Sequence, residues 1–278
     1  MGRTTRRRWG VGVLHLVGVV GVVAGCFLLS TVLASPFSPH ECAAHADEAD
    51  RAAAYEVDYV INEIWGKAGA SGFEGGEGER AETYGEVTST GVRVLSSELW
   101  RFGSTDGDCF ADVGCGVGRM VAQVALERRG RLELAWGIEL VEGRARGGQR
   151  AVAELQREEG EVVRGTGTPS SSPHPPPSPP LALARMEIVH GDFATTRLPT
   201  CTSHIFLSSL CFSPELIARF VDTISTSLDD ADSPLRAVAS IKKIPQLGER
   251  EGWSEQRVRG VTMSWGSALD VWVYRRGG

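Results

Sequence analysis

Apolar residues recur along this chain at two alternating periods, and the alternation predicts an architecture by itself. The run Cys109 to Val113 reads as a buried strand, after which Met120, Val121, Val124, Ala125 and Leu126 follow at helical spacing. Leu134–Leu140 repeats the strand signal, and Ala151, Val152 and Leu155 mark one face of a helix within Glu142–Glu159. Further extended runs fall at Leu181–His190, Ser203–Ser209 and Arg236–Lys242, with a crossover helix over Pro214–Leu228. Val261–Trp265 and Leu269–Tyr274 lie close enough to form an antiparallel hairpin at a sheet edge. The pattern predicts an α/β fold: an open, mostly parallel sheet of seven strands, helices on both faces and a terminal antiparallel hairpin. Two helices are expected ahead of it. One spans Asp50–Trp65, with Ala53, Val57, Val60, Ile61, Ile64 and Trp65 on one side, and the other carries Val92, Val94, Leu95 and Leu99 with Thr88 or Ser89 as N-cap.

Outside this periodic region the chain changes character. Arg3, Arg6, Arg7 and Arg8 precede an apolar segment from Val11 to Ala34, long enough to cross a hydrocarbon core. The expectation is a single-pass signal anchor over residues 1–35 with its basic flank in the cytosol. Cleavage near Ala34, as in a signal peptide or a plastid precursor with Ala34-Ser-Pro-Phe, is the alternative. Residues 36–83 form a linker with the first amphipathic helix and a Gly/Glu-rich connector, and 84–278 form the main domain. A Pro/Ser-rich stretch within 161–183 interrupts that domain and is too rich in proline to pack, so it is expected to be a disordered surface insertion.

With 42% hydrophobic residues the chain can bury a sizeable core, while a net charge of -6 argues against strong direct binding of nucleic acid. Six cysteines occur without C-x-x-C or Cys/His ligand spacing, so no metal site is expected. Cys109 and Cys115 are expected to fill space as small buried residues, without disulfides.

The candidate chemistry sits between the first strand and its helix. Gly114, Gly116 and Gly118 form G-x-G-x-G followed by Arg119, unlike the G-x-G-x-x-G of dinucleotide sites. Glycines let backbone N–H groups approach a ligand closely. Asp112 just before them would repel a pyrophosphate but suits the cationic amino-acid end of S-adenosylmethionine, which makes the methyl donor the preferred cofactor. Glu139 ends the second strand where a ribose hydroxyl pair is held in doubly wound folds. Asp192, in Gly191-Asp-Phe193 after the third strand, can accept the adenine amine.

Tyr84-Gly-Glu-Val-Thr88, Asp112-Val-Gly-Cys-Gly-Val-Gly118, Gly191-Asp-Phe193 and Phe206-Leu-Ser-Ser-Leu-Cys-Phe-Ser-Pro-Glu215 together resemble the class I S-adenosylmethionine-dependent methyltransferases. They resemble most closely the Dot-one (disruptor of telomeric silencing) family of histone-lysine N-methyltransferases. The resemblance runs from about Tyr84 to Tyr274. It implies a Rossmann-like fold, S-adenosyl-L-methionine as cofactor and a protein lysine, histone included, as acceptor. By it, Tyr84 and Glu86 line the loop at the donor's amino-acid end, Glu139 holds the ribose, and Asp192 and Phe193 frame the adenine. Phe212, Trp265 and Trp272 are implied walls of a lysine channel. The family's paired asparagines are Ser208 and Ser209 here, its glutamine after the third glycine is Arg119, and its basic nucleosome-holding segment is absent.

Three functions follow as alternatives: a Dot-one-type lysine methyltransferase, a membrane-anchored methyltransferase for another protein or a small molecule, and an inactive cofactor-binding scaffold. Their expected locations differ accordingly, between nucleus, membrane and a secretory or plastid route.

Overall fold

A computed structural model describes residues 39–70, 85–165, 182–266 and 268–277. The basic and apolar segment at 1–35, Tyr84 and most of the Pro/Ser insertion lie outside the described residues. The chain divides into two compact units. Unit 1 comprises 1–56 and 158–180, and its described parts are helical. Among the described residues no helix is long and apolar enough to cross a membrane.

The second unit, Val57–Arg157 and Leu181–Gly278, carries the sheet. In chain order the elements are α1 (Pro39–Lys67), α2 (Ser89–Leu99), β1 (Asp108–Val113), α3 (Arg119–Glu127), β2 (Leu132–Glu139), α4 (Glu142–Gly165) and β3 (Arg185–His190). After them come β4 (Thr202–Leu207), α5 (Pro214–Asp229), β5 (Ala237–Ser240), α6 (Pro245–Gly248), β6 (Trp253–Thr262) and β7 (Ala268–Arg276). The seven strands lie in the order β3-β2-β1-β4-β5-β7-β6. β1 to β5 run parallel to one another, and β7 enters antiparallel between β5 and β6. This is the Rossmann-like arrangement that the sequence pattern predicts.

Alternate residues of the central strands serve two cores, as a sheet covered on both faces requires. Phe110, Ala135, Phe206, Ala239 and Val273 pack with α1, α2, α3 and α4 through residues such as Trp65, Leu95, Val121 and Leu155. Ala111, Val113, Ile138, Ile205, Leu207 and Val238 pack on the opposite face with Ile217, Phe220 and Ile224 of α5 and Leu247 of α6. Thr88 proves to be the N-cap of α2, its Oγ1 accepting from the Gly91 N–H at 3.2 Å.

Two expectations are corrected here. The hairpin's first strand begins at Trp253, well before Val261, and Trp265 lies in the turn beyond its end. β6 is an edge strand with Ser254, Arg257 and Arg259 exposed and a register shift between Val258 and Val261, so its apolar period is broken. Secondly, Cys109 is joined to Cys201 by a disulfide. Parallel pairing sets Cys109 opposite Thr202, which brings the preceding Cys201 alongside across 92 residues of sequence. No spacing rule reads such a pair from sequence.

The amino-terminal end of the same two central strands holds a polar cluster. Buried Asp108 accepts from Trp100 Nε1 at 3.0 Å and from Arg236 Nη1 at 3.1 Å. His204 stacks on Trp100 with centroids 4.2 Å apart, and burial pushes its pKa down to about 3, so it stays a neutral imidazole.

Candidate functional site

A cleft of about 410 Å³ opens at the carboxyl ends of the parallel strands, beside the β1/β4 switch in strand order. Its floor is the glycine loop. Gly114, Gly116 and Gly118 have φ of 80°, 56° and 76°, a left-handed backbone that favours glycine at each position. The Gly114 and Cys115 N–H groups donate to the Ile138 carbonyl at 2.9 and 3.1 Å, tying the loop to β2. Gly118 then caps α3.

Three carboxylates converge on this floor. Asp112 is 3% exposed and its Oδ1 has no hydrogen-bond partner among the described residues. Burial, aided by Glu139 and then Glu86, pushes its pKa up to about 8. Glu139 accepts from the Gly116 N–H at 2.8 Å through Oε2 and from the Val141 N–H at 2.9 Å through Oε1. Each oxygen retains a lone pair for a further donor. The Glu86 carboxylate stands 3.7 Å from Arg119 Nε, and the Glu86 N–H donates to Ser264 Oγ at 3.0 Å.

At the far end of the cleft, Asp192 Oδ1 accepts from the Ala194 N–H at 2.9 Å while Oδ2 lies 3.7 Å from Arg219. Phe193 is buried and stacks on Phe212, centroids 5.4 Å apart and planes at 18°. The rim is apolar: Leu210 and Trp265 are 36% and 40% exposed. Trp265 lies so close against Gly85 that a Cβ there would fall 1.7 Å from its ring, so a larger residue at 85 would displace the tryptophan.

The family described as "Histone methylation protein DOT1" has a model that matches residues 77–160, which include the Gly85-Glu86 lead-in, the glycine loop and Glu139. The sheet order β3-β2-β1-β4-β5-β7-β6 with β7 antiparallel is a Rossmann-like fold of the kind found in class I S-adenosylmethionine-dependent methyltransferases. Among solved structures it is similar to the magnesium protoporphyrin IX methyltransferase of Synechocystis PCC 6803 with bound SAM, at 15% identity and TM-score 0.43 over 81% of this chain and 97% of that one. It is also similar to a SAM-dependent methyltransferase of Thiobacillus denitrificans, at 14% identity and TM-score 0.33 over 63% and 52% of the two chains. TrmK of M. capricolum is similar at 8% identity and TM-score 0.37 over 66% and 67%. No curated protein sequence matches the chain.

The residues of the cleft fit S-adenosylmethionine. The unpartnered Asp112 oxygen is the complement of a buried cation such as the donor's ammonium, and the glycine loop leaves backbone exposed beside it.

The implied acceptor residues divide. Ser208, whose N–H donates to the Val113 carbonyl at 2.9 Å, lines the cleft, as do Phe212 and Trp265. Ser209 does not: it is fully buried, with Oγ 2.8 Å from Ser240 Oγ and accepting from the Lys242 N–H at 2.8 Å. Trp272 is also placed away from the cleft lining, opposite Arg257 on β6 and with Lys243 Nζ 4.7 Å from its ring centroid. Sequence reasoning missed Arg144, Arg219 and Leu210, which line the cleft from helices and a turn whose pattern reported only packing. It also gave Lys242 no role, although its Nζ donates to the Phe212 carbonyl at 2.7 Å and fixes that wall.

Proposed function

We propose that the methyltransferase transfers a methyl group from S-adenosylmethionine to a lysine side chain of a protein, in the manner of the Dot-one family. The observation that carries the cofactor half is the buried carboxylate of Asp112, its Oδ1 without a hydrogen-bond partner, over a glycine loop. The match of residues 77–160 to the DOT1 family supports the lysine. Glu139 would take the ribose hydroxyls, and Asp192 with Phe193 the adenine. Glu86 and Tyr84, the latter outside the described residues, would face the amino-acid end. The bound donor supplies a methyl group on a sulfonium, an electrophile that needs no further activation.

The protein's own task is to present a neutral amine. A lysine ammonium must lose its proton to solvent before its nitrogen forms the new N–C bond as the C–S bond breaks. Apolar walls from Leu210, Phe212 and Trp265 disfavour the charged form. Ser208 is the polar group at hand to orient it. Incubation of the protein with labelled donor and histones, nucleosomes or membrane extract is expected to place label on lysine, read by mass spectrometry. Label found only on another residue type or on a small molecule overturns the lysine reading.

One observation favours a second acceptor class. The Cys109–Cys201 disulfide is of a kind that persists in oxidising compartments and is rare in cytosol and nucleus. Together with the basic and apolar N-terminal sequence it supports a membrane-anchored enzyme whose domain meets acceptors across the membrane from the cytosol. If cells expressing the full chain are quenched with an alkylating agent, this reading expects both cysteines to be protected and linked. Alkylated Cys109 and Cys201 return the proposal to a chromatin acceptor.

A further inference from the structure

A loop of glycines has few side chains with which to hold itself, so its geometry must be imposed from outside. Part of that hold comes from β2, as described. The rest comes from α1, which the sequence reads only as an amphipathic helix ahead of the domain. Trp65, near the helix end, is 1% exposed. Its indole Nε1–H donates to the carbonyl of Val117, between the second and third glycines, at 2.7 Å across 52 residues of sequence. One turn earlier on the same helix, Asn62 Oδ1 accepts from the guanidinium of Arg119, the first residue of α3. That guanidinium also faces Glu86. The Val117 carbonyl is hemmed in from another side by α4, where a Cβ on Gly148 would approach it to 2.8 Å. An indole thus occupies a place where water has little access, and a bare carbonyl there would be costly.

We propose that Trp65 is a positioning residue for the donor loop, its indole N–H fixing the Val117 peptide and with it the direction of the Gly116 and Gly118 backbone. The proposal rests on the reading of the cleft as the donor site. It makes α1 part of the enzyme's binding apparatus, although Trp65 does not line the cleft. An aromatic residue chosen only for bulk would lose little on change to phenylalanine, and this one would lose its function.

The test compares Trp65→Phe, which keeps a large ring and removes the N–H, with Ile64→Val, a neighbouring 1%-exposed position of the same core that gives the loop no hydrogen bond. Hydrogen exchange of the unliganded full chain is expected to quicken over 114–119 in Trp65→Phe and to stay unchanged there in Ile64→Val. Calorimetry with S-adenosylmethionine is expected to show about tenfold weaker binding for Trp65→Phe, the loss of roughly one buried hydrogen bond. It should show less than about twofold change for Ile64→Val. Equal exchange in the two variants overturns the role of Trp65, whatever the wild type binds. If the wild-type chain binds no donor while the exchange difference stands, the reading of the cleft fails and the strut survives.

Discussion

At pH 8 the unliganded Asp112→Asn variant is expected to melt higher than the wild type and yet to bind S-adenosylmethionine more weakly. Both effects come from one buried carboxylate. Folding moves the Asp112 pKa from 3.8 to about 8, through burial first and the neighbouring Glu139 and Glu86 second. A pKa raised by folding contributes stability that is complete below the unfolded value and lost as pH climbs through the folded one. The wild type should therefore lose stability between about pH 4 and 8, on the order of a few kcal/mol, and the asparagine variant should not. Thermal melts across that range read the difference directly. Donor binding runs the other way, because the ammonium of the donor needs the ionised carboxylate. Wild-type affinity should rise with pH up to about 8, with a proton released on binding, until the donor's own amine (pKa roughly 7.7–8.0) begins to lose its charge. The variant should lack that slope and bind about 10- to 100-fold less tightly at pH 8, the worth of a charge-assisted hydrogen bond. Matching pH profiles of binding in the two proteins would remove Asp112 from the donor site.

Gly116→Arg should abolish donor binding outright. Gly116 has φ 56°, and its N–H holds Glu139 Oε2 at 2.8 Å, so a side chain there is strained and projects at the floor of the cleft. The left-handed conformation costs a non-glycine residue about 1–2 kcal/mol, a melting shift of only a few degrees for a domain of this size. Affinity for the donor should fall by about 100-fold or more, since a long cation would occupy the donor's place against Asp112 and Glu139. Calorimetry beside a thermal melt separates the two effects. Wild-type affinity in a folded Gly116→Arg protein would mean that the donor binds elsewhere.

The sheet was legible in the sequence because β1, β2 and β4 are buried on both faces and each carries a mostly apolar stretch, Cys109–Val113 in β1, Leu134–Ile138 in β2 and Ile205–Leu207 in β4. The same logic could not find the start of β6, where one side of the strand is polar and a register shift breaks the period. Glycines and acids at strand ends were legible because their chemistry is local. Side-chain direction was not. Ser208 and Ser209 are adjacent, yet only the first lines the cleft, because Ser240 on β5 offers the second a buried partner. Trp272 was placed by parity: its neighbours Val271 and Val273 enter one core, so its own ring turns to the other face, under Lys243. The disulfide depended on strand register, which no single segment of sequence contains.

The rim at Gly85 has a further consequence. Glu86 and Thr88 exchange backbone hydrogen bonds with Ser264 and Thr262 at 2.8 and 3.0 Å, so the lead-in to α2 and the turn carrying Trp265 form one small ladder. A displacement of either strand carries the other with it. The Glu86 lead-in and the Trp265 wall of the cleft are therefore coupled, and a substitution that loosens Thr262 or Ser264 is expected to loosen Glu86 as well.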